Sequence, residues 1–429
     1  MATNADKVTA GKAIASNVIA NLRELRALTG DAEGAQRVAW TPTWMRSREW
    51  FRAKLASVPA LRGVEQHVDA AGNAWYTLRG ESERALVLGS HLDSVPNGGW
   101  LDGCLGVLAG LEVMRGLAEE FDGRPPFTVR LVDWADEEGA RFGRSLFGSA
   151  AFAGRATSEA ERGRTDREGV TLAKALAECG IHVDRIGDAV AEQRNIAAYL
   201  ELHIEQGPVL ERLGLPLAVV LGTKGVERHA IRFYGQEAHS GSTPMAVRRD
   251  ALAAAAKLAL VIRTIARQHA DAVCTMGSVK TFPGIVTSVV GRCEATLDQR
   301  ALDAAVLASM LGEARAASER FASEEGCTVE WEKIWSIEPI AFHPDLIALC
   351  EAAIQEVAGG SHRMPSGPLH DAAEVARLGA PTVMLFVQSL GGISHNKIED
   401  TRPEHLELAV AAFERLATKT MEWMRDSVC

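Results

Sequence analysis

Hydrophobic and polar positions follow two different patterns along the chain. In the first half, short runs of apolar β-formers, RALVLGS from Arg84 and FTVRLVDWAD from Phe127, flank LGVLAGLEVMRGLAEE from Leu105, whose apolar spacing is helical. Strand, helix and strand in that order predict a βαβ unit and a mainly parallel sheet. The middle of the chain reads differently. HAIRFYGQ from His229 alternates like a half-exposed strand, and TPMAVRRDALAAAAKLALVIRTIARQHA follows as a long helix, with Thr243 as its expected cap and Pro244 in its first turn. CTMGSVKTF and SVVGRCEATLDQR then read as strands, ALDAAVLASMLGEARAASERFASEEG as a second helix and CTVEWEKIW as a fourth strand. Four strands and two helices predict a compact α+β insert. After it the first pattern returns, with PTVMLFVQ from Pro381 as a buried strand. The expected organisation is an α/β catalytic domain in two segments, 1–216 and 336–429, and an inserted α+β lid and dimerisation domain at 217–335.

Composition narrows the class. The chain has 429 residues, 47% of them hydrophobic and 24% charged, which suits an ordinary globular protein of two domains. A net charge of -10 argues against a nucleic-acid partner, which would require a basic surface. The seven cysteines are scattered and contain no CxxC pair, so neither a disulfide framework nor a thiolate zinc site is expected. MATNADKVTAGKAIASNVIANLREL reads as an amphipathic helix without the apolar core of a secretory signal, and no apolar run is long enough to span a membrane. These features lead to the expectation of a cytoplasmic protein with no membrane partner.

The candidate chemistry lies where apolar runs end. In LGSHLDSVPNGGWLDGCLG, from Leu88, a strand finishes in His91 and Asp93, and Asp102 follows in a glycine-rich turn. Glu137 and Glu138 follow the strand from Phe127, His203 follows AAYLEL, and His395 follows the strand from Pro381. Carboxyl ends of strands are where α/β sheets gather functional groups. Each residue alone has an ordinary structural explanation, but together His and carboxylate make the donor set of a divalent ion such as zinc, manganese, cobalt or nickel. With Asp102 as a bridge, two ions could be held ~3.5–4 Å apart.

GSHLDSVPNGGWLDG, ADEEGARF, ELHIEQGPVLE, GQEAHSGSTPM, ATLDQR, MPSGPLHDA and GISHNKIED, in this order, resemble the M20 metallopeptidase superfamily. More narrowly they resemble its amidase, hydantoinase and carbamoylase branch, which contains N-carbamoyl-L-amino acid hydrolases, β-ureidopropionases and allantoate amidohydrolases. HIEQGP is the marker of that branch. The resemblance implies a homodimer joined through the lid and two metal ions per subunit. It places His91 and Glu138 on one ion and His203 and His395 on the other, with Asp102 between them and Asp93 bracing His91. It implies Glu137 as general base and His239 as the group that polarises the scissile carbonyl, delivered from the partner subunit. Arg300 would clamp the substrate carboxylate, Gln206 would hold the ureido group, and His370 would line the pocket.

Two positions depart from the family pattern. Thr287, in TSVVG, stands where relatives carry an Asn that helps hold the substrate carboxylate, and Leu369, in GPLHD, stands where they carry a Gly. Both bear on substrate choice and leave the metal donors intact. The expected activity is hydrolysis of an N-carbamoyl-L-amino acid to amino acid, carbon dioxide and ammonia. The alternatives are an allantoate amidohydrolase or β-ureidopropionase using the same residues, or a catalytically silent metal-binding dimer.

Overall fold

The computed structural model describes residues 4–426, with side chains from Ala15 onward. Its chain divides into two compact units, one of residues 1–221 and 342–429 and one of residues 222–341. Residues 217 and 335, the expected bounds of the insert, both fall inside strands, Leu217–Thr223 and Thr328–Ile337. Strand Leu217–Thr223, which those bounds place in the insert, pairs with Thr382–Val387 in the large sheet.

In the first unit, Thr382–Val387, Ile196–Ile204, Ser82–His91 and Phe127–Trp134 lie side by side in parallel. Leu217–Thr223 borders this core antiparallel on one side, and Ala74–Leu78 followed by Glu65–Val68 on the other. All eight residues of Phe127–Trp134 and all six of Thr382–Val387 are buried. Such uninterrupted burial is what a parallel sheet covered on both faces produces, because neither face of the strand meets water. Helix Cys104–Glu120 packs on this core with thirteen buried residues. At ~25 cal/mol per Å² of apolar surface removed from water, burial on this scale dominates the stability of the unit. The strands end in register, with His91 beside Trp134 and His203 beside Phe386, so their carboxyl ends form one rim.

The second unit is a four-stranded antiparallel sheet in the order Val273–Phe282, Arg292–Ala301, Gly225–Tyr234, Thr328–Ile337, with helices Ala251–Arg267 and Ala304–Glu324. Strand Arg292–Ala301 alternates buried and half-buried residues, the period-two pattern of a sheet with one covered face. The expected helix start at Thr243 is corrected. Asp250 is the cap, its side chain accepting from the amides of Leu252 and Ala253, and the helix begins at Ala251. The carboxylate satisfies two orphan amides at once, so the segment before it is free to form a loop around His239. SVVGRCEATLDQR likewise splits into Ser288–Val289, paired with Ala238–His239, and Arg292–Ala301.

Candidate metal centre and its acid

The four other predicted ligands gather around Asp102. His91 Nε2 lies 3.8 Å and His203 Nε2 3.1 Å from Asp102 Oδ1. On the other carboxylate oxygen, His395 Nε2 lies 3.4 Å from Asp102 Oδ2 and 3.3 Å from Glu138 Oε2. Within each of the groups His91–Asp102–His203 and Asp102–Glu138–His395, donor atoms lie within 4.8 Å of one another. By distance, His91 groups with His203 on Asp102 and Glu138 with His395, whereas the resemblance pairs His91 with Glu138 and His203 with His395. Strand order is the reason, since His91 and His203 end adjacent parallel strands whereas Glu138 and His395 stand on longer loops.

The histidines are oriented for ligation. His91 Nδ1 is 3.1 Å from the Asp93 carbonyl, and His203 Nδ1 is 3.0 Å from the Ile204 carbonyl. A carbonyl can only accept, so each Nδ1 carries a proton and each Nε2 is left facing Asp102, where the neutral ring would offer its lone pair to a cation. His203 Nε2, although close to Asp102, makes no aligned hydrogen bond among the described residues. A lone pair without a donor, beside a carboxylate that cannot donate, is the arrangement a cation would complete.

The electrostatics agree. Burial works to raise the Asp102 carboxyl, yet His203, His395 and His91 hold it well below the usual range. Burial, with the charge of Asp102 added, pushes Glu138 up to about 7. The hydrogen bond to Asp102, against burial, lifts His395 to about 9. Carboxylates this crowded retain protons for want of cations, and two divalent ions would supply that charge. The donor set thus fits divalent metal.

Glu137 is buried with its Oε2 3.8 Å from His91 Nε2. Burial pushes its carboxyl well above the usual range, His91 opposing and Glu138 adding to the effect. A carboxyl whose proton affinity is raised by burial is suited to exchanging a proton with a neighbouring water. Asp93 braces this loop more than it does the histidine. Its two oxygens accept from the amides of Glu137 and Glu138 at 3.3 and 3.2 Å, while its carboxylate stays 3.5 Å from His91 Nδ1. Asp136, one residue earlier, holds a left-handed φ of 57° and accepts from Trp40 Nε1 at 2.8 Å.

The glycines of NGGWLDG have a direct purpose. A Cβ on Gly103, whose φ is +65°, would sit 2.5 Å from the His91 ring, and one on Gly99 would sit 2.0 Å from Glu399 Oε1. Glu399 had no role assigned from the sequence. Its Oε1 accepts from the amides of Leu101 and Asp102 at 3.0 and 3.1 Å, and its Oε2 lies 2.8 Å from Ser394 Oγ. Ser394 Oγ is in turn 3.0 Å from Asp102 Oδ2. Its four-residue spacing from His395 was the available signal. Glu201 was also missed, although an acid inside the apolar run AYLELHI is an anomaly. It is fully buried and takes Ser90, Tyr199 and the Ala372 amide as donors, next to His203 and His370. Replacing Glu399 with Ala should strand two buried amides and loosen Asp102. The expected outcome is ~2–3 kcal/mol less stability in denaturant melts and about 10- to 100-fold weaker metal binding in chelator competition.

A cavity of about 240 Å³ opens on the centre, lined by Glu137, Gln206, Leu369 and His370 as well as Asp102, Glu138, His203 and His395. Gln206 holds a φ of 56°, and its side-chain amide donates to Asp102 Oδ2 at 2.9 Å. His370 is buried with Nε2 unpaired among the described residues, and burial, then His203, keeps its ring well below the usual histidine range. His239, Thr287 and Arg300 belong to the second unit. His239 is exposed and its Nδ1 accepts from the amides of Gly241 and Ser242 at 3.1 and 3.2 Å. That puts the proton on Nε2 and leaves it a donor. The Thr287 carbonyl accepts from the neighbouring Ser240 amide at 2.9 Å. Arg300 is half-exposed and paired to Asp298 at 2.9 Å.

A parallel-cored α/β unit with His and carboxylate donors on its strand ends, joined in one chain to an antiparallel α+β unit, defines a metal-dependent hydrolase. The peptidase family M20/M25/M40 matches residues 87–419, and the chain belongs to that family. It is 36% identical over 368 residues to an N-carbamoyl-L-amino acid amidohydrolase of Geobacillus stearothermophilus, covering 85% of this chain and 88% of that one. It is 32% identical over 373 residues to the allantoate amidohydrolase of Escherichia coli, covering 86% and 89%. Among solved structures, an amidase of the hydantoinase/carbamoylase family from Burkholderia multivorans superposes with a TM-score of 0.82 at 32% identity, covering 94% of this chain and 97% of that one. The protein is an amidohydrolase of this family, acting on C–N bonds. No described helix is long and apolar enough to cross a membrane.

Proposed function

We propose that the protein hydrolyses the ureido C–N bond of an N-carbamoyl-L-α-amino acid, releasing the amino acid, carbon dioxide and ammonia. The observation that carries this reading is the buried Glu137 carboxyl beside the Asp102-centred donors, at the wall of a cavity sized for a small substrate. The relative from G. stearothermophilus supports the choice of substrate. We take two divalent ions per subunit, zinc, manganese, cobalt or nickel, to be held by the two donor groups. Bound there, they would polarise the carbonyl and acidify the attacking water.

The chain's own groups do the rest. Glu137 takes the proton of the attacking water and returns it to the departing nitrogen. The Nε2–H of His239 suits a developing oxyanion, since Nδ1 is already an acceptor. Arg300 gives the substrate carboxylate a two-pronged partner, in competition with Asp298. Gln206 holds the ureido end after leaving Asp102, and Leu369 and His370 shape the same wall, with Thr287 tuning selectivity next to His239. The second unit, as the lid, also joins two copies. Its edge strand Val273–Phe282 has a single sheet neighbour, Val273 and Val279 on it are exposed, and Leu260 of the adjoining helix is 70% exposed. The six described cysteines are all free, which supports a reducing, cytoplasmic setting.

Allantoate is the second reading, favoured by the E. coli relative. Ammonia release by the manganese-supplemented enzyme from N-carbamoyl-L-amino acids, N-carbamoyl-β-alanine and allantoate decides between them. We expect kcat/KM to be at least tenfold higher for one N-carbamoyl-L-α-amino acid. Preference for allantoate would transfer the assignment, and no release from any of the three would overturn it.

A further inference from the structure

Strand Ile196–Ile204 carries Tyr199, Glu201 and His203 at every second position, so the three side chains point to one face of the sheet. His203 faces Asp102, whereas Glu201, fully buried two residues before it, does not line the cavity. We propose that Glu201 and Ser149 are positioning residues, which fasten the segment 367–371 and so set where Leu369 and His370 stand against the substrate. The inference rests on the reaction proposed for the same cavity, part of whose wall Leu369 and His370 form.

An acid inside an apolar strand destabilises the fold unless its oxygens are bonded. Glu201 is given three donors. Tyr199 Oη donates to Oε2 at 3.0 Å, the Ala372 amide donates to the same oxygen at 3.1 Å, and Ser90 Oγ approaches Oε1 at 3.4 Å. The Tyr199 hydroxyl is itself fixed, because Trp134 Nε1 donates to it at 2.9 Å and leaves its proton for Glu201. Gly89 makes room for that hydroxyl, since a Cβ there would sit 2.4 Å from Tyr199 Oη. Three neighbouring strands thus hold one carboxyl group, and among the described residues its one bond beyond them goes to Ala372.

That bond reaches the cavity wall. Ala372 lies in the first turn of helix Asp371–Arg377, two residues after His370, and residues 367–370 run between this helix and strand Arg363–Ser366. Ser149, on helix Phe147–Phe152, bonds Asp371 Oδ1 through its hydroxyl, so two consecutive residues behind His370 are tied to the body of the unit. His370 Nε2 is unpaired among the described residues, and the ring rests against His203 and Phe386 at centroid distances of 4.4 and 5.7 Å. Its place is therefore inherited from the backbone that Glu201 and Ser149 hold. Glu201 does not orient His203 in the same way. The Nδ1 of His203 bonds the Ile204 carbonyl and its Nε2 faces Asp102, so neither ring nitrogen is turned to Glu201.

The test combines hydrogen exchange, read by mass spectrometry on the manganese-loaded enzyme without substrate, with steady-state kinetics on the substrate it prefers. Glu201→Met keeps the volume of the side chain and removes its acceptors. Amides 369–373 are expected to exchange about tenfold faster, and KM to rise about five- to twentyfold with kcat within about threefold and metal content unchanged. Ser149→Ala should move both readouts the same way, with KM up about threefold. Glu201→Gln should restore both, because its amide oxygen can still accept from Tyr199 and Ala372. A Glu201→Met enzyme with KM within about twofold of the wild type overturns the proposal. So does one whose loss lies in kcat and metal content, which would make Glu201 a support of His203. Should Glu201→Met not fold, Ser149→Ala decides, and unchanged exchange and KM overturn the proposal. Ammonia release from none of the three substrates is a failure of the proposed function alone; faster exchange in the variants would then still sustain the positioning, and unaltered exchange would overturn it.

Discussion

Glu137→Gln is expected to lower kcat by about 10²- to 10⁴-fold while leaving metal content unchanged. Glutamine has nearly the same shape as glutamate, so the buried site stays packed, but it can neither accept the proton of a water nor pass one on. Glu137 is 3.8 Å from His91 Nε2 and lies outside both donor groups that converge on Asp102. Glu138, its neighbour in sequence, belongs to one of them. Glu138→Gln should therefore show the opposite pattern, with metal lost first and activity restored in part by excess metal. Steady-state rates on the preferred substrate, with metal content measured on the same samples, separate the two. A Glu137→Gln enzyme within tenfold of the wild type would remove Glu137 from the proton transfer.

Removing metal should make stability strongly pH-dependent. Burial and Asp102 raise Glu138 from 4.5 to about 7, and the bond to Asp102 raises His395 from 6.5 to about 9. In both cases the folded chain keeps a proton that the unfolded chain releases. The sign is then fixed: between about pH 4.5 and 9 the native state binds more protons, and stability falls as pH rises. Glu138 alone accounts for ~3 kcal/mol across its window. His370 and Asp102, both held below their usual ranges, run the other way but only at lower pH. Chelated protein should melt a few degrees lower at pH 8.5 than at pH 5.5, and the stabilisation on adding manganese should grow with pH, because the ion replaces the protons. Chelated protein as stable at pH 8.5 as at pH 5.5 would show that the acids around Asp102 are not in competition for cations.

Both predictions concern residues that the sequence already marked. His91, Asp102, Glu137, Glu138, His203 and His395 all stand where an apolar run gives way to a loop, and in the structure those run ends form one rim. The partition of the ligands was not legible in the same way. Which histidine shares which carboxylate oxygen depends on the lateral order of the strands, and Ser82–His91 turned out to neighbour Ile196–Ile204. Glu399 escaped notice because its role, accepting from the Asp102 amide 297 residues away, is a tertiary hydrogen bond that its spacing from His395 does not by itself reveal.

By itself, the sequence determined the α/β and α+β architecture and the family, and it marked the candidate metal donors and the candidate acid. The architecture follows from the periodicity of apolar residues, and the family and the candidate roles follow from the resemblance carried by short motifs, all of which are local. Only the tertiary structure decided how the ligands are shared between the two oxygens of Asp102, that Asp250 rather than Thr243 starts the helix of the second unit, that Gly99 and Gly103 make room for Glu399 and His91, and that Glu201 and Ser149 bond the segment behind Leu369 and His370. Each of these depends on which distant segments pack together, and packing is set by the summed burial of the whole core.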